Sequence, residues 1–229
     1  MKLSLQTQPV VWPTLAWTTV AMAGFALPFA ALVMLANMAS AETLNTVTAP
    51  ILAVAMMGAA MIGAATAGRF WLGVGFGLVT GAALVFVSAS LGLPGVQEPL
   101  ALAMACSAAS VSFAARGALF ARSGLDKGWW IAVFVVTGEA AVLATAAAQP
   151  GALPDWLLVL LPAQWASLAL QSGFDGSNTV TASAALAALL GTGAATLFVV
   201  KLWPRRWPYL VMFSAWLSFA ALVWNYSTL

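Results

Sequence analysis

Hydrophobic residues fall into long, nearly unbroken runs, and polar residues collect in the short gaps between them. Seven runs reach about the 20 residues that a helix needs to cross a bilayer. They occupy residues 11–37, 48–67, 70–93, 100–120, 128–148, 180–202 and 208–227. The gaps are too short to hold a soluble domain. The pattern therefore predicts an all-α integral membrane protein, a polytopic bundle forming a single transmembrane helical domain over residues 1–229.

The first run begins near the N-terminus and precedes a sequence, Ala39-Ser40-Ala41, that resembles a signal-peptidase site. The apolar core of a signal peptide is about 7–15 residues long. The run from Val10 to Ala36 is much longer, so we expect a retained first span.

An eighth apolar run, over residues 155–172, is shorter and is interrupted by Pro162 and Gln164. It would give eight spans if it crossed the membrane. Otherwise residues 155–179 form a non-cytoplasmic segment, which either lies in the interface, with Trp156 and Trp165 as anchors, or re-enters the bundle. Irregular backbone at membrane depth requires protein or water to satisfy its polar groups. We favour seven spans and the surface-lying arrangement.

Basic residues decide between seven and eight spans, because Lys and Arg concentrate in cytoplasmic loops. With seven spans, a cytoplasmic N-terminus and an outer C-terminus, all the basic residues share the cytoplasmic side: Lys2, Arg69, Arg116, Arg122, Lys127, Lys201, Arg205 and Arg206. An eighth crossing would move the densest basic cluster, Lys201 to Arg206, outside. The expected location is a bacterial-type inner membrane.

The composition agrees and excludes several kinds of site. Hydrophobic residues make up 63% of the chain and charged residues 6%, against about 25% charged in soluble domains. Histidine is absent and Cys106 is the sole cysteine, which removes the usual haem or zinc ligands and any Ser-His or Cys-His pair. We therefore expect a protein that is not an enzyme, binds no nucleic acid and holds no cofactor through its own ligands, although lipids or pigments can lie against its helices.

Small residues in the third run predict close helix packing. Gly73, Gly77 and Gly81 recur at a spacing of four, which places them on one helix face, as in GxxxG interfaces.

Glu139 is the candidate functional residue. It is the twelfth residue of the run that starts at Gly128, so it lies about 18 Å along that helix, near the bilayer midplane. Acidic residues at this depth cost about 2.5–3.5 kcal/mol to insert and are functional candidates. Glu139 is either a proton, ion or substrate site, or a structural carboxyl group that ties helices together through hydrogen bonds. Arg116 is expected to be too distant to pair with it.

Two further groups of polar residues are weaker candidates. The first would line a vestibule if the eighth run is re-entrant, and would otherwise be its wetted face: Gln164, Ser167, Gln171, Asp175 and Asn178. The second, Arg205 and Arg206, suits a lipid headgroup or a partner's acidic loop.

Two functions fit these features. The favoured one is a non-catalytic subunit of a larger membrane complex of respiratory or photosynthetic type, which contacts membrane lipids and other membrane protein subunits. The alternative is a small-solute or proton-coupled transporter or channel that uses Glu139. The alternative requires a cavity that reaches Glu139 from at least one side of the membrane.

Overall fold

The computed structural model describes residues 11–38, 41–93, 95–124, 127–176 and 179–227. Seven helical stretches in these ranges are long and apolar enough to cross a membrane, which confirms the predicted seven spans. We number them one to seven: Thr14–Met38, Thr46–Ala67, Phe70–Ser90, Pro99–Gly124, Gly128–Ala148, Thr179–Leu202 and Pro208–Tyr226. Two short helices, Asp155–Val159 and Pro162–Asp175, lie between spans five and six.

The connections after spans two, four and six lie at one end of the bundle. We call it the basic end, because Arg69, Lys127, Arg205 and Arg206 lie in these connections. The connections after spans one, three and five lie at the opposite end. A tight turn at the basic end joins spans two and three, where Gly68 adopts φ 63°, a left-handed conformation that costs glycine little.

Span three packs against spans two and four through its predicted glycine face. A methyl group added at Gly73 would lie 2.5 Å from the Ala60 carbonyl oxygen, and one at Gly77 would lie 2.7 Å from Ser110 Oγ. At Gly81 the nearest atom would be Met56 Sδ at 3.0 Å. Since neighbouring backbone or side-chain atoms occupy the space that a side chain would need, these positions allow the close helix approach that stabilises bundles in lipid.

Gly73→Val is expected to lower the free energy of unfolding by about 1–3 kcal/mol, because overpacking forces backbone to move. Gly75→Val on the same span is the matched control, since nothing lies within 4 Å of a methyl group added there. Thermal unfolding of both variants in detergent micelles measures the difference. Equal melting temperatures for the two would contradict the assigned interface.

Spans one and two each contain a π-helical turn, and the two turns meet. Span one lies within the α-helices Val11–Ala21 and Leu27–Met38 and the π-turn Met22–Ala26 that joins them. Span two lies within the α-helices Ala41–Met57 and Gly63–Ala67 and the π-turn Gly58–Ile62 that joins them. A methyl group at Gly24 would lie 2.8 Å from Ala59 Cβ, and one at Gly58 would lie 2.9 Å from the Ala23 carbonyl. The widened turns therefore coincide with the close crossing of these spans.

The segment between spans five and six differs from the surface-lying helix that the sequence favoured. Most of the Pro162–Asp175 helix is buried among spans two, four and six, and Trp165 has no exposed surface. Its C-terminal part reaches the end opposite the basic one, where the Gly173 carbonyl accepts hydrogen bonds from the Gln97 and Glu98 amides. The segment thus enters the bundle and returns to the same end, as a re-entrant hairpin of residues 155–175.

Small residues explain why this hairpin fits inside the bundle. Ala163, Ala166, Ala169 and Gly173 are buried and recur at spacings of three and four, so they form one narrow face of the helix. A methyl group at Gly173 would lie 2.9 Å from the Leu102 Cα atom of span four. The polar residues of this segment suggested a helix with one wetted face, but its small residues allow it to pack inside the bundle.

Candidate functional site

Three hydrogen bonds hold the tip of the re-entrant hairpin, residues 159–163. The Trp165 indole donates to the Val159 carbonyl at 2.7 Å, and the Trp216 indole of span seven donates to the Leu160 carbonyl at 3.1 Å. The Ala163 amide donates to Glu139 Oε2 of span five at 2.9 Å. Glu139 and Trp216 lie near the middle of their spans, so the tip lies at mid-depth in the bundle.

Glu139 acts as the cap of the Pro162–Asp175 helix. The residue before this helix is Leu161, which has no side-chain oxygen to accept an N–H of the first turn, as Ser, Thr, Asp or Asn would. Pro162 has no N–H, so the Ala163 amide is the first that requires an acceptor. The Glu139 carboxyl supplies it, and the positive end of the helix dipole compensates negative charge there.

Glu139 also lines a cavity of about 430 Å³ between spans four, five, six and seven and the hairpin tip. The cavity extends from Ser123 and Tyr209, near the basic end, to Glu139 and Pro162 at mid-depth. Its other polar residues are Arg116, Thr192 and Thr196, and most of its wall is apolar or aromatic, including Phe120, Met212, Phe213 and Trp216. Apolar walls with a few placed polar groups are typical of small-molecule sites.

Arg116 is the second charged residue of the cavity. Its Nη2 donates to Thr192 Oγ1 at 3.1 Å, and its guanidinium carbon lies 6.0 Å from the centre of the Phe113 ring. Its Nη1 is buried and has no hydrogen-bond partner among the described residues. A buried donor without a partner costs about 1–3 kcal/mol, so Arg116 retains capacity to bind an acceptor.

Arg116 and Glu139 line the same cavity, but no direct ion pair joins these two described side chains. Arg116 is the ninth residue from the end of span four, about 13 Å from the basic end, whereas Glu139 lies about 18 Å along span five. The expectation that Arg116 does not pair directly with Glu139 agrees with this placement, but Arg116 lines the same cavity rather than lying at the helix end, because its long side chain reaches Thr192.

The vestibule candidates do not line this cavity. Ser167 is buried within the hairpin helix, whereas the Gln171 amide donates to Asp175 Oδ2 at 2.9 Å. Gln164 is half-buried. Asn178 lies outside the described residues.

The basic candidates occupy a different part of the molecule. Arg205 and Arg206 are exposed at the basic end, and Arg206 borders a separate surface depression with Trp203 and Tyr209.

Sequence reasoning missed Arg116, Thr192 and Trp216 as members of the site. A weak signal for Arg116 exists, since it lies two helical turns inside its span rather than at the helix end. Nothing in the sequence indicates that Trp216 donates to the hairpin.

Known proteins and metal chemistry offer no further guide to the site. No family model, curated protein or solved structure matches this chain significantly. Across the described ranges, no group of three or more Cys, Asp or Glu side chains is placed to hold a metal ion.

Proposed function

We propose that this multi-pass membrane protein is a small-solute carrier or channel whose binding site is the cavity bounded by Arg116 and Glu139. The observation that carries the proposal is a cavity lined both by Glu139 at mid-depth and by Ser123 and Tyr209 near the basic end, as a transporter's solute site requires. The proposed activity is non-enzymatic. By the distribution of basic residues, the cavity faces the cytoplasm of a bacterial-type inner membrane.

The hairpin provides the barrier on the other side of the site. Its tip contacts Glu139 and is fixed by one hydrogen bond donated to span five and one accepted from span seven. Discontinuous helices that end at mid-depth are a recurrent way of building solute sites in transporters. Movement of the tip past Glu139 and Trp216 would connect the cavity to the opposite end.

Solute flux in reconstituted vesicles tests this proposal. Proteoliposomes are shrunk in gradients of urea, glycerol, lactate or alanine, and the recovery of volume is followed by stopped-flow light scattering. We expect at least one solute to enter faster than into protein-free vesicles, and Arg116→Gln to abolish the difference. Arg122→Gln is the control, because Arg122 is exposed at the basic end and does not line the cavity. Entry at the protein-free rate for every solute would contradict the proposal.

A second candidate function is a non-catalytic subunit of a larger complex of respiratory or photosynthetic type. It is favoured by the outer spans: within the apolar core of span seven only 11% of residues are buried inside the chain, and in span five only 17%. Exposed side chains on span seven that do not line the cavity include Leu210, Val211 and Leu217. Partner helices, pigments or lipid tails would each cover such a surface.

Native mass spectrometry of the protein, gently extracted from its own membrane, separates the two candidates. Stoichiometric association with other chains would support the subunit, and Glu139 would then serve packing alone. A monomer or homo-oligomer would remove that candidate and leave the carrier or channel.

A further inference from the structure

We infer that the solute of this cavity is a small zwitterion with an apolar body, such as an α-amino acid with an apolar side chain. The inference deepens the proposed function, because it names the class of solute for the same site. It follows from two features of the cavity: two side chains of opposite charge that make no direct pair, and the apolar and aromatic walls beside them.

The two charges are held apart by other partners. Glu139 is fixed by the Ala163 amide, and Arg116 is fixed by Thr192. Opposite charges in a low-dielectric interior normally repay their desolvation only through close pairing. Here both line one cavity without forming a direct pair. A ligand that carries both charges would complete the pairing, with its ammonium group at Glu139 and its carboxylate at Arg116.

Ligands of a single charge fit less well. An anion at Arg116 would face the Glu139 carboxylate in the same cavity, and a cation at Glu139 would face the Arg116 guanidinium. Since like charges that face each other at binding sites cost several kcal/mol, each residue selects against the ligand that the other alone would attract.

The apolar walls determine the remainder of the ligand. Phe120, Met212, Phe213 and Trp216 line the cavity beside the two charges. Burial of an apolar side chain against them is favourable at about 25 cal/mol per Å². A strongly polar solute would leave these walls without a complementary surface.

Three related ligands test the charge requirement by isothermal titration calorimetry on the full chain in lipid nanodiscs. They are leucine, 4-methylpentanoate, which lacks the ammonium group, and 3-methylbutylamine, which lacks the carboxylate. We expect leucine to bind at least about tenfold more tightly than either analogue, as one additional charge contact would produce.

Variants assign each charge to its residue. Glu139→Gln retains an oxygen that can accept from the Ala163 amide, and it should reduce the preference for leucine over 4-methylpentanoate to about twofold or less. Arg116→Gln should remove the preference over 3-methylbutylamine, and Arg116→Lys should restore part of it. Arg122→Gln should change neither ratio.

Several results would overturn the inference. They are equal affinity of the wild-type protein for leucine and 4-methylpentanoate, an unchanged ratio in Glu139→Gln, or no binding of any of the three ligands to folded protein. Flux of another solute without leucine binding would remove the inference and leave the proposed function intact. Leucine binding without flux of any solute would remove the proposed function and leave the inference.

Discussion

Glu139→Leu is expected to lower the free energy of unfolding by about 2–4 kcal/mol, and Glu139→Gln by about 1 kcal/mol or less. Leucine removes the acceptor of the Ala163 amide, which is buried at the start of the hairpin helix. Glutamine keeps the acceptor and loses only the charge. Unfolding by SDS in mixed micelles, followed by tryptophan fluorescence, measures both variants.

The relative stabilities of the two Glu139 variants test whether Glu139 caps the hairpin helix. If the Glu139→Leu variant were as stable as the wild type, Glu139 would not cap the hairpin helix. Without a capping role, the removal of a buried acid should only stabilise the protein. If the Glu139→Gln variant were as destabilised as Glu139→Leu, the negative charge rather than the hydrogen bond would hold the hairpin tip.

Trp165→Ala is the second large expected effect. Trp165 has no exposed surface, and its indole donates to the Val159 carbonyl across the hairpin tip. Truncation of a buried tryptophan costs about 3–5 kcal/mol in soluble cores, and the packing part of that cost remains in lipid, so we expect a loss of about 2–4 kcal/mol. Thermal unfolding in micelles provides the measurement.

Trp156→Ala is the matched control for this change. Trp156 belongs to the same hairpin but is 58% exposed, so its loss should shift the melting temperature little. Similar losses for the two variants would be expected of a surface-lying helix anchored by both tryptophans, and observing them would contradict the re-entrant hairpin.

The spans were predictable because they depend on local composition. Each needs only a long apolar run, and the glycine spacing of span three was sufficient to indicate the face that meets spans two and four. The hairpin was predicted only as the alternative to a surface-lying helix, because its placement depends on tertiary contacts. A 14-residue helix over Pro162–Asp175 has the same local pattern whether it lies on a membrane or within a bundle.

One combination of residues could have indicated the hairpin. The stretch Leu161-Pro162-Ala163 starts a helix with no capping side chain, and a buried helix start requires an acceptor from elsewhere. Glu139, an acid at mid-depth without a partner on its own helix, is such an acceptor. The contribution of Arg116 could not be inferred in the same way, because its position in the cavity depends on the reach of its side chain to Thr192.

Cysteine accessibility tests most directly whether the cavity admits water and solute from the basic end. Val135 lines the cavity, and its neighbour Phe134 is 74% exposed on the outer face of span five. In a Cys106→Ala background, a charged methanethiosulfonate reagent is applied to either side of membrane vesicles that carry Val135→Cys or Phe134→Cys. We predict modification of Val135→Cys from the cytoplasmic side alone, and none of Phe134→Cys, which faces lipid. No modification of Val135→Cys, or equal modification of both variants, would contradict the account.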